Sequence, residues 1–310
     1  RAGVTTAVGC LGRDNHTRTM EGLLGKAKAL DEDGITAFIY TGATLEHPIP
    51  TLTGSVRRDM VLCDKVIGVG EVSISELGPS HDTMGPGTEY IAKLAAEAFI
   101  AGRATGKAGI LNLQVPPHGK LGMQPVFDIL EKTSLPVRLF VPSHANSSRH
   151  YFDQAKRFTR MGGILDLCSN YEMARLGHKE MIAPVDAALE IFAEGISPEL
   201  VTMSTDGNGA HPSADAGRSI YTPVSSLWEK ILEMVAAGIA LETCLPMVTA
   251  NPARVIGLAG RKGTIAEAAD ADFLILREDL TIDKVVARGR LLVDGGEPLV
   301  RNQYEGIWRS

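Results

Sequence analysis

Apolar residues along this chain fall into two alternating patterns. Short, mainly apolar runs, such as Val4 to Leu11, Ile35 to Tyr40, Val66 to Ile74 and Ile110 to Val115, alternate with longer stretches of helical spacing. From His16 to Asp33, Met20, Leu23, Leu24, Ala27 and Leu30 fall on one helical face, and Gly34 supplies the stop. The same reading predicts helices over Ser55 to Asp64 (Ser55 as N-cap), Thr88 to Ala104, Met123 to Lys132, Arg149 to Arg160, Ile182 to Ala193, Pro223 to Ala237 and Leu241 to Gly257. It predicts further strands over Pro136 to Pro142, Ile164 to Cys168 and Leu200 to Thr205.

Strands with no polar alternation are buried on both faces, which is the mark of a parallel sheet covered by helices. About seven βα units follow one another, one short of a (β/α)8 barrel. The chain opens with Arg1-Ala-Gly-Val-Thr-Thr6 directly before a strand. The expectation is therefore an α/β, TIM-like barrel whose first strand precedes this sequence. A doubly wound sheet is the runner-up, but no glycine-rich dinucleotide or phosphate loop follows any strand. After Gly260 the pattern changes to strands over Asp272 to Arg277 and Lys284 to Val293, with a turn at Asp294-Gly-Gly-Glu297. The expected division is a barrel over 1–258 and part of a small appended β domain over 259–310.

Composition narrows the function classes. The 310 residues carry a formal charge of -6 with no basic cluster, which argues against nucleic acid and anionic membrane as main partners. No apolar run approaches the roughly 18 residues of a membrane span. Cys10, Cys63, Cys168 and Cys244 lie far apart with no CxxC, so the expected compartment is a reducing cytoplasm.

The candidate chemistry lies where predicted strands end. Val201 to Thr205 is a buried run ending on Asp206, followed by Gly-Asn-Gly209. A carboxylate there costs free energy unless paired or bound to a metal, although Asp before Gly is also ordinary turn chemistry. Other strand ends bring Thr44, Gly70-Glu71, Gln114 with His118 just beyond, and Ser143-His144. In a barrel these ends share one mouth, so Glu71, His144 and Asp206 form the ligand set of a divalent ion such as zinc.

The motifs also carry a resemblance. Asn251-Pro-Ala-Arg254, Gly257, Gly263-Thr-Ile265 and Ala271-Asp272 resemble the C-terminal signature of the amidohydrolase superfamily. Ala2-Gly-Val-Thr5, Thr51-Leu-Thr-Gly-Ser-Val56, Gln124-Pro125, Pro142-Ser-His144 and Ser204-Thr-Asp-Gly-Asn-Gly209 resemble its isoaspartyl dipeptidase branch. The resemblance implies a metal-bearing barrel that hydrolyses an amide of a small molecule with one or two zinc ions, and a homo-oligomer. It implies His144 as a metal ligand and Asp206 as both ligand and general base and acid. Several positions depart from the pattern. No HxH pair occurs in the sequence; Glu71 stands where a carboxylated lysine bridges two metals; Gln114 replaces a histidine ligand, with His118 as a possible replacement. At substrate-binding positions, Thr44 replaces a tyrosine, Ser147 an arginine and Ala210 a serine. The alternatives are a barrel that has lost catalysis and serves as a binding protein, and a cyclic-amide hydrolase or deaminase.

Overall fold

The structure, a computed structural model, describes residues 1–12, 17–44, 48–74, 87–117, 119–170, 180–212 and 219–300. Its centre is built from parallel strands. β1 (Thr6–Gly9), β2 (Thr36–Thr41), β3 (Val66–Ser73), β4 (Ile110–Gln114) and β5 (Phe140–Ser143) form one sheet in that order, and β6 (Leu165–Cys168) pairs in parallel with β7 (Val201–Ser204). Helices α1 (Met20–Glu32), α2 (Val56–Leu62), α3 (Thr88–Thr105), α4 (Gln124–Lys132), α5 (Arg149–Arg160), α6 (Pro184–Ala193) and α7 (Ser226–Ala236) intervene or follow. Every residue of β5 and β6 is buried, Ser143 and Asp166 included, as strands covered on both faces require. The result is a TIM-like arc of seven parallel strands, matching the number of βα units read from the sequence.

Register places the strand ends side by side. Ser73 pairs with Gln114, and Gln114 with Ser143, so three polar residues form a row across β3, β4 and β5. Between β5 and β6 no ladder forms; a side chain joins them instead. Asn146 accepts the Cys168 main-chain N–H at 2.8 Å and donates to the Cys168 carbonyl at 3.2 Å and the Ile182 carbonyl at 3.0 Å.

The helices show why their sequences fold locally. Thr19 and Ser55 cap α1 and α2 through their side-chain oxygens, each stabilising its helix by about 1 kcal/mol. In α5, Ser148 caps the first turn and Tyr151, Phe152, Ala155, Phe158 and Thr159 bury one stripe. The Tyr151 hydroxyl donates to the Ser143 carbonyl at 2.7 Å, tying α5 to the end of β5.

Three expectations need correction. The 136–142 stretch is a 3-10 turn over Val137–Leu139 before β5, because Pro136 presets the bend. The helix expected from Leu241 to Gly257 is broken into α8 (Leu241–Cys244), a 3-10 turn (Leu245–Val248) and α9 (Ala250–Val255). Pro246 lacks the N–H a continuous helix needs, and Thr249 leaves helical geometry with φ -129° and ψ -88°. The single strand expected from Lys284 to Val293 is a hairpin, β11 (Ile282–Ala287) and β12 (Arg290–Asp294). Arg288 and Gly289 both have positive φ, the backbone of a tight two-residue turn.

With β10 (Phe273–Leu276) and β13 (Glu297–Pro298) these strands form a small antiparallel sheet. Gly295 and Gly296, both at positive φ, make the β12–β13 turn the sequence indicated. Lys262, only 4% exposed, fixes this sheet to the barrel: it donates to Asp272 and, at 2.9 Å, to Thr36 of β2. Among the described residues no helix is long and apolar enough to cross a membrane.

Candidate active site

Glu71 lies near the end of β3, reached through Gly70. A Cβ at Gly70 would stand 2.7 Å from Asn112 Cβ and 2.9 Å from its carbonyl oxygen, so glycine is what lets β3 approach β4 there. The Glu71 carboxylate gathers donors from neighbouring strands. The Ser143 hydroxyl lies 2.7 Å from Oε1; its one proton has the Leu113 carbonyl at 2.9 Å as the other acceptor, and the charged oxygen is favoured. The Thr44 hydroxyl stands 3.5 Å from Oε2. The Gln114 amide nitrogen donates to Oε1 at 2.7 Å and Oε2 at 3.1 Å. That orientation is assigned from the hydrogen bonds, because the opposite one sets the amide oxygen against the carboxylate.

His144 follows β5 in the left-handed region, φ 61°, and is buried. Its Nε2 lies 3.8 Å from Glu71 Oε1. Asp206 follows β7, also left-handed at φ 48°. Such backbone costs a non-glycine residue about 1–3 kcal/mol and concentrates at functional sites. Surrounding bonds hold it: the Gly209 N–H donates to the Asp206 carbonyl at 3.0 Å, and the Thr222 hydroxyl donates to the same oxygen. Asn170, buried, donates to the Thr205 carbonyl at 2.5 Å and the Pro223 carbonyl at 3.2 Å, bracing the residue before Asp206.

Three further residues, which patterning did not single out, complete the surroundings. Asp166 of β6 accepts from Thr202 Oγ1 and Ser204 Oγ, both at 2.7 Å. Burial raises its carboxyl above the ordinary value, while the Ser204 and Thr202 hydroxyls and His144 pull the other way. The sequence did carry a signal: Asp166 is the one charge in an apolar strand, and such a charge needs partners. Ser143 entered the sequence reading only as the neighbour of His144. Cys10, just past β1, was noted only as one of four separated cysteines. Its thiol has exposed surface yet stands deep among protein atoms. Burial pushes it up to about 12, and the charges of Glu71 and Asp206 add to that. One thiol thus feels both carboxylates, which puts β1, β3 and β7 ends around a common space.

The other expected positions are less central. Ser147 lies in the 3-10 turn after His144, 2% exposed, its hydroxyl without a hydrogen-bond partner in the structure. Ala210 opens a short strand, β8 (Ala210–Pro212), paired with β9 (Ser219–Tyr221). His118 lies outside the described residues. A groove lined by Leu189, Phe192, Ile196 and Ile239 opens beside the segment leading into β7, away from the strand ends, and its lining has no titratable group.

The Glu71 carboxylate and the His144 imidazole, whose Oε1 and Nε2 stand 3.8 Å apart, are close enough to be two ligands of one borderline ion, with Oε2 the carboxylate oxygen left to it because Oε1 takes Ser143 and Gln114. Among the described residues no group of three or more His, Cys, Asp and Glu side chains comes together, so this pair alone does not complete a tetrahedral site.

Comparison with known proteins agrees with this geometry. Residues 153–292 match the Amidohydrolase family. A β-aspartyl dipeptidase from the thermophilic keratin-degrading Fervidobacterium islandicum AW-1, solved with the dipeptide β-Asp-Leu, superposes with a TM-score of 0.88 at 40% identity, covering 98% of this chain and 78% of that one. A D-hydantoinase shares the fold, with a TM-score of 0.68 at 16% identity over 97% of this chain and 79% of that one. N-acetylglucosamine-6-phosphate deacetylase from Danio rerio is 36% identical over 55 residues, which is 18% of this chain and 14% of that protein.

Proposed function

Since the chain belongs to the amidohydrolase family and is a hydrolase acting on C–N bonds, we propose that it cleaves the amide of a β-aspartyl dipeptide or a closely related small molecule with the help of a divalent metal, zinc first among the candidates. The observation that carries this reading is the 40% identity to a β-aspartyl dipeptidase maintained over 98% of the chain. Glu71 and His144 would hold the ion, together with donors beyond this pair, among which Asp206 is the first candidate. When bound, such an ion acidifies a water and polarises the scissile carbonyl.

The chain's own residues supply the rest. Asp206 Oδ takes the proton of the attacking water and passes it to the leaving nitrogen, so amide and water become carboxylic acid and amine. The bonds to its main-chain carbonyl from Gly209 and Thr222 hold the backbone that carries that carboxylate. Gln114, Ser143 and Thr44 hold Glu71 in one orientation rather than gripping substrate. The Ser147 hydroxyl, buried and unpartnered, offers a neutral hydrogen-bonding group where a charged clamp was expected from the family. We place the protein in the cytoplasm on the spacing of its cysteines, with a homo-oligomer as the proposed assembly.

The test is a substrate panel on the zinc- or manganese-loaded enzyme: β-Asp-Leu, α-Asp-Leu and a hydantoin ring. Release of leucine from β-Asp-Leu but not α-Asp-Leu is expected. Turnover of the hydantoin alone would replace the dipeptidase reading with a cyclic-amide one, and no turnover of any would overturn hydrolysis of these classes.

A further inference from the structure

Glu71 stands where the family resemblance puts a group that bridges two metals, and its hydrogen bonds bear on whether it does. A carboxylate oxygen has two in-plane acceptor positions. Oε1 already takes two strong donors, Ser143 Oγ at 2.7 Å and the Gln114 amide at 2.7 Å. Oε2 takes the same amide at 3.1 Å and faces the Thr44 hydroxyl at 3.5 Å. Bridging needs a lone pair from each oxygen turned to a different cation. Oε1 can offer one only by losing a short charge-assisted bond, so no more than the Oε2 side can turn to an ion.

The strand register makes this arrangement fixed rather than incidental. Gln114 is paired with Ser73 on one side and Ser143 on the other, and is itself 4% exposed. Its amide is held at the carboxylate by the sheet. An amide nitrogen is a donor with no lone pair for a cation, so the face of Glu71 that Gln114 covers is closed to metal.

We infer that Gln114 makes this a one-metal site: its amide, with the Ser143 hydroxyl, saturates the face of Glu71 that a second ion would need. This rests on the metal-dependent reading above, and the measurement separates the two. The full chain is stripped with chelator, reloaded with zinc(II), desalted, and its metal counted per subunit by mass spectrometry. The same protein loaded with manganese(II) is examined by electron paramagnetic resonance. One equivalent, with the hyperfine pattern of isolated manganese ions, is expected. Two equivalents with an exchange-coupled spectrum would overturn the inference while leaving metal dependence standing. None would overturn the metal-dependent reading itself. Gln114→His, checked for native circular dichroism and melting, is expected to gain a second equivalent. A folded variant that stays at one shows that something other than Gln114 limits the site, and removes this residue's assignment.

Discussion

The Thr202 hydroxyl of β7 donates to the buried carboxylate of Asp166 on β6 at 2.7 Å, joining the two strands of the smaller parallel sheet. The same carboxylate takes the hydroxyl of Ser204 at 2.7 Å. Asp166→Ala would leave both hydroxyls without this acceptor. Each such loss costs about 1–3 kcal/mol before relaxation, so a destabilisation of roughly 2 kcal/mol or more is expected. Urea titration measures it, and a shift within error would mean that water replaces the carboxylate without penalty.

Asp206→Asn keeps shape and backbone bonds but cannot carry a proton. Turnover is expected to fall about 10²–10⁴-fold, with unchanged folding. Comparable activity in wild type and variant would remove Asp206 as the proton carrier.

Cys10 provides a chemical probe of the shared space. Because its pKa is raised to about 12, the thiol stays protonated at pH 8 and alkylates slowly with iodoacetamide. The rate should climb with pH toward that value. Glu71→Gln removes a negative charge that raises this pKa, so labelling at pH 8 should quicken. Peptide mass spectrometry follows both, and labelling as fast as in the denatured chain would contradict the crowding described.

Gly70→Ala would drive a Cβ into the backbone of Asn112. The clash should cost about 1–3 kcal/mol and displace Glu71, lowering metal affinity as well. Gly25→Ala, on an exposed position of α1 where a Cβ would meet nothing within 4 Å, is the control and should lower neither.

Much of this was legible in the sequence because burial on both faces leaves a plain mark. Strands such as Val66 to Ile74 read correctly from a mainly apolar run that turns polar only at the end carrying Glu71 and Ser73, and Ser55 announced its helix. Breaks were harder. Arg288-Gly289 lacks the usual Asn-Gly or Asp-Gly signal, so two short strands read as one. Pro246 sits in an apolar run that otherwise has helical spacing. In the candidate site, the proximity of Glu71 to His144 followed from both lying at strand ends. The engagement of Gln114 with Glu71 did not, because it depends on register: Gln114 is opposite Ser143 only once β4 and β5 are paired. Asn146 was also hidden, since nothing local distinguishes a loop asparagine from one that stands in for a strand ladder.

That substitution has a mechanical consequence. Glu71, Gln114, Ser143 and His144 ride on the five-strand sheet, whereas Asp166 and Asp206 ride on the two-strand one. The two sheets share no ladder at this seam; Asn146 bridges it by side-chain hydrogen bonds, and one apolar core packs against both sheets. The register that sets Glu71 against Gln114 and Ser143 therefore does not extend to Asp206, whose distance from that row is set by side chains and packing instead.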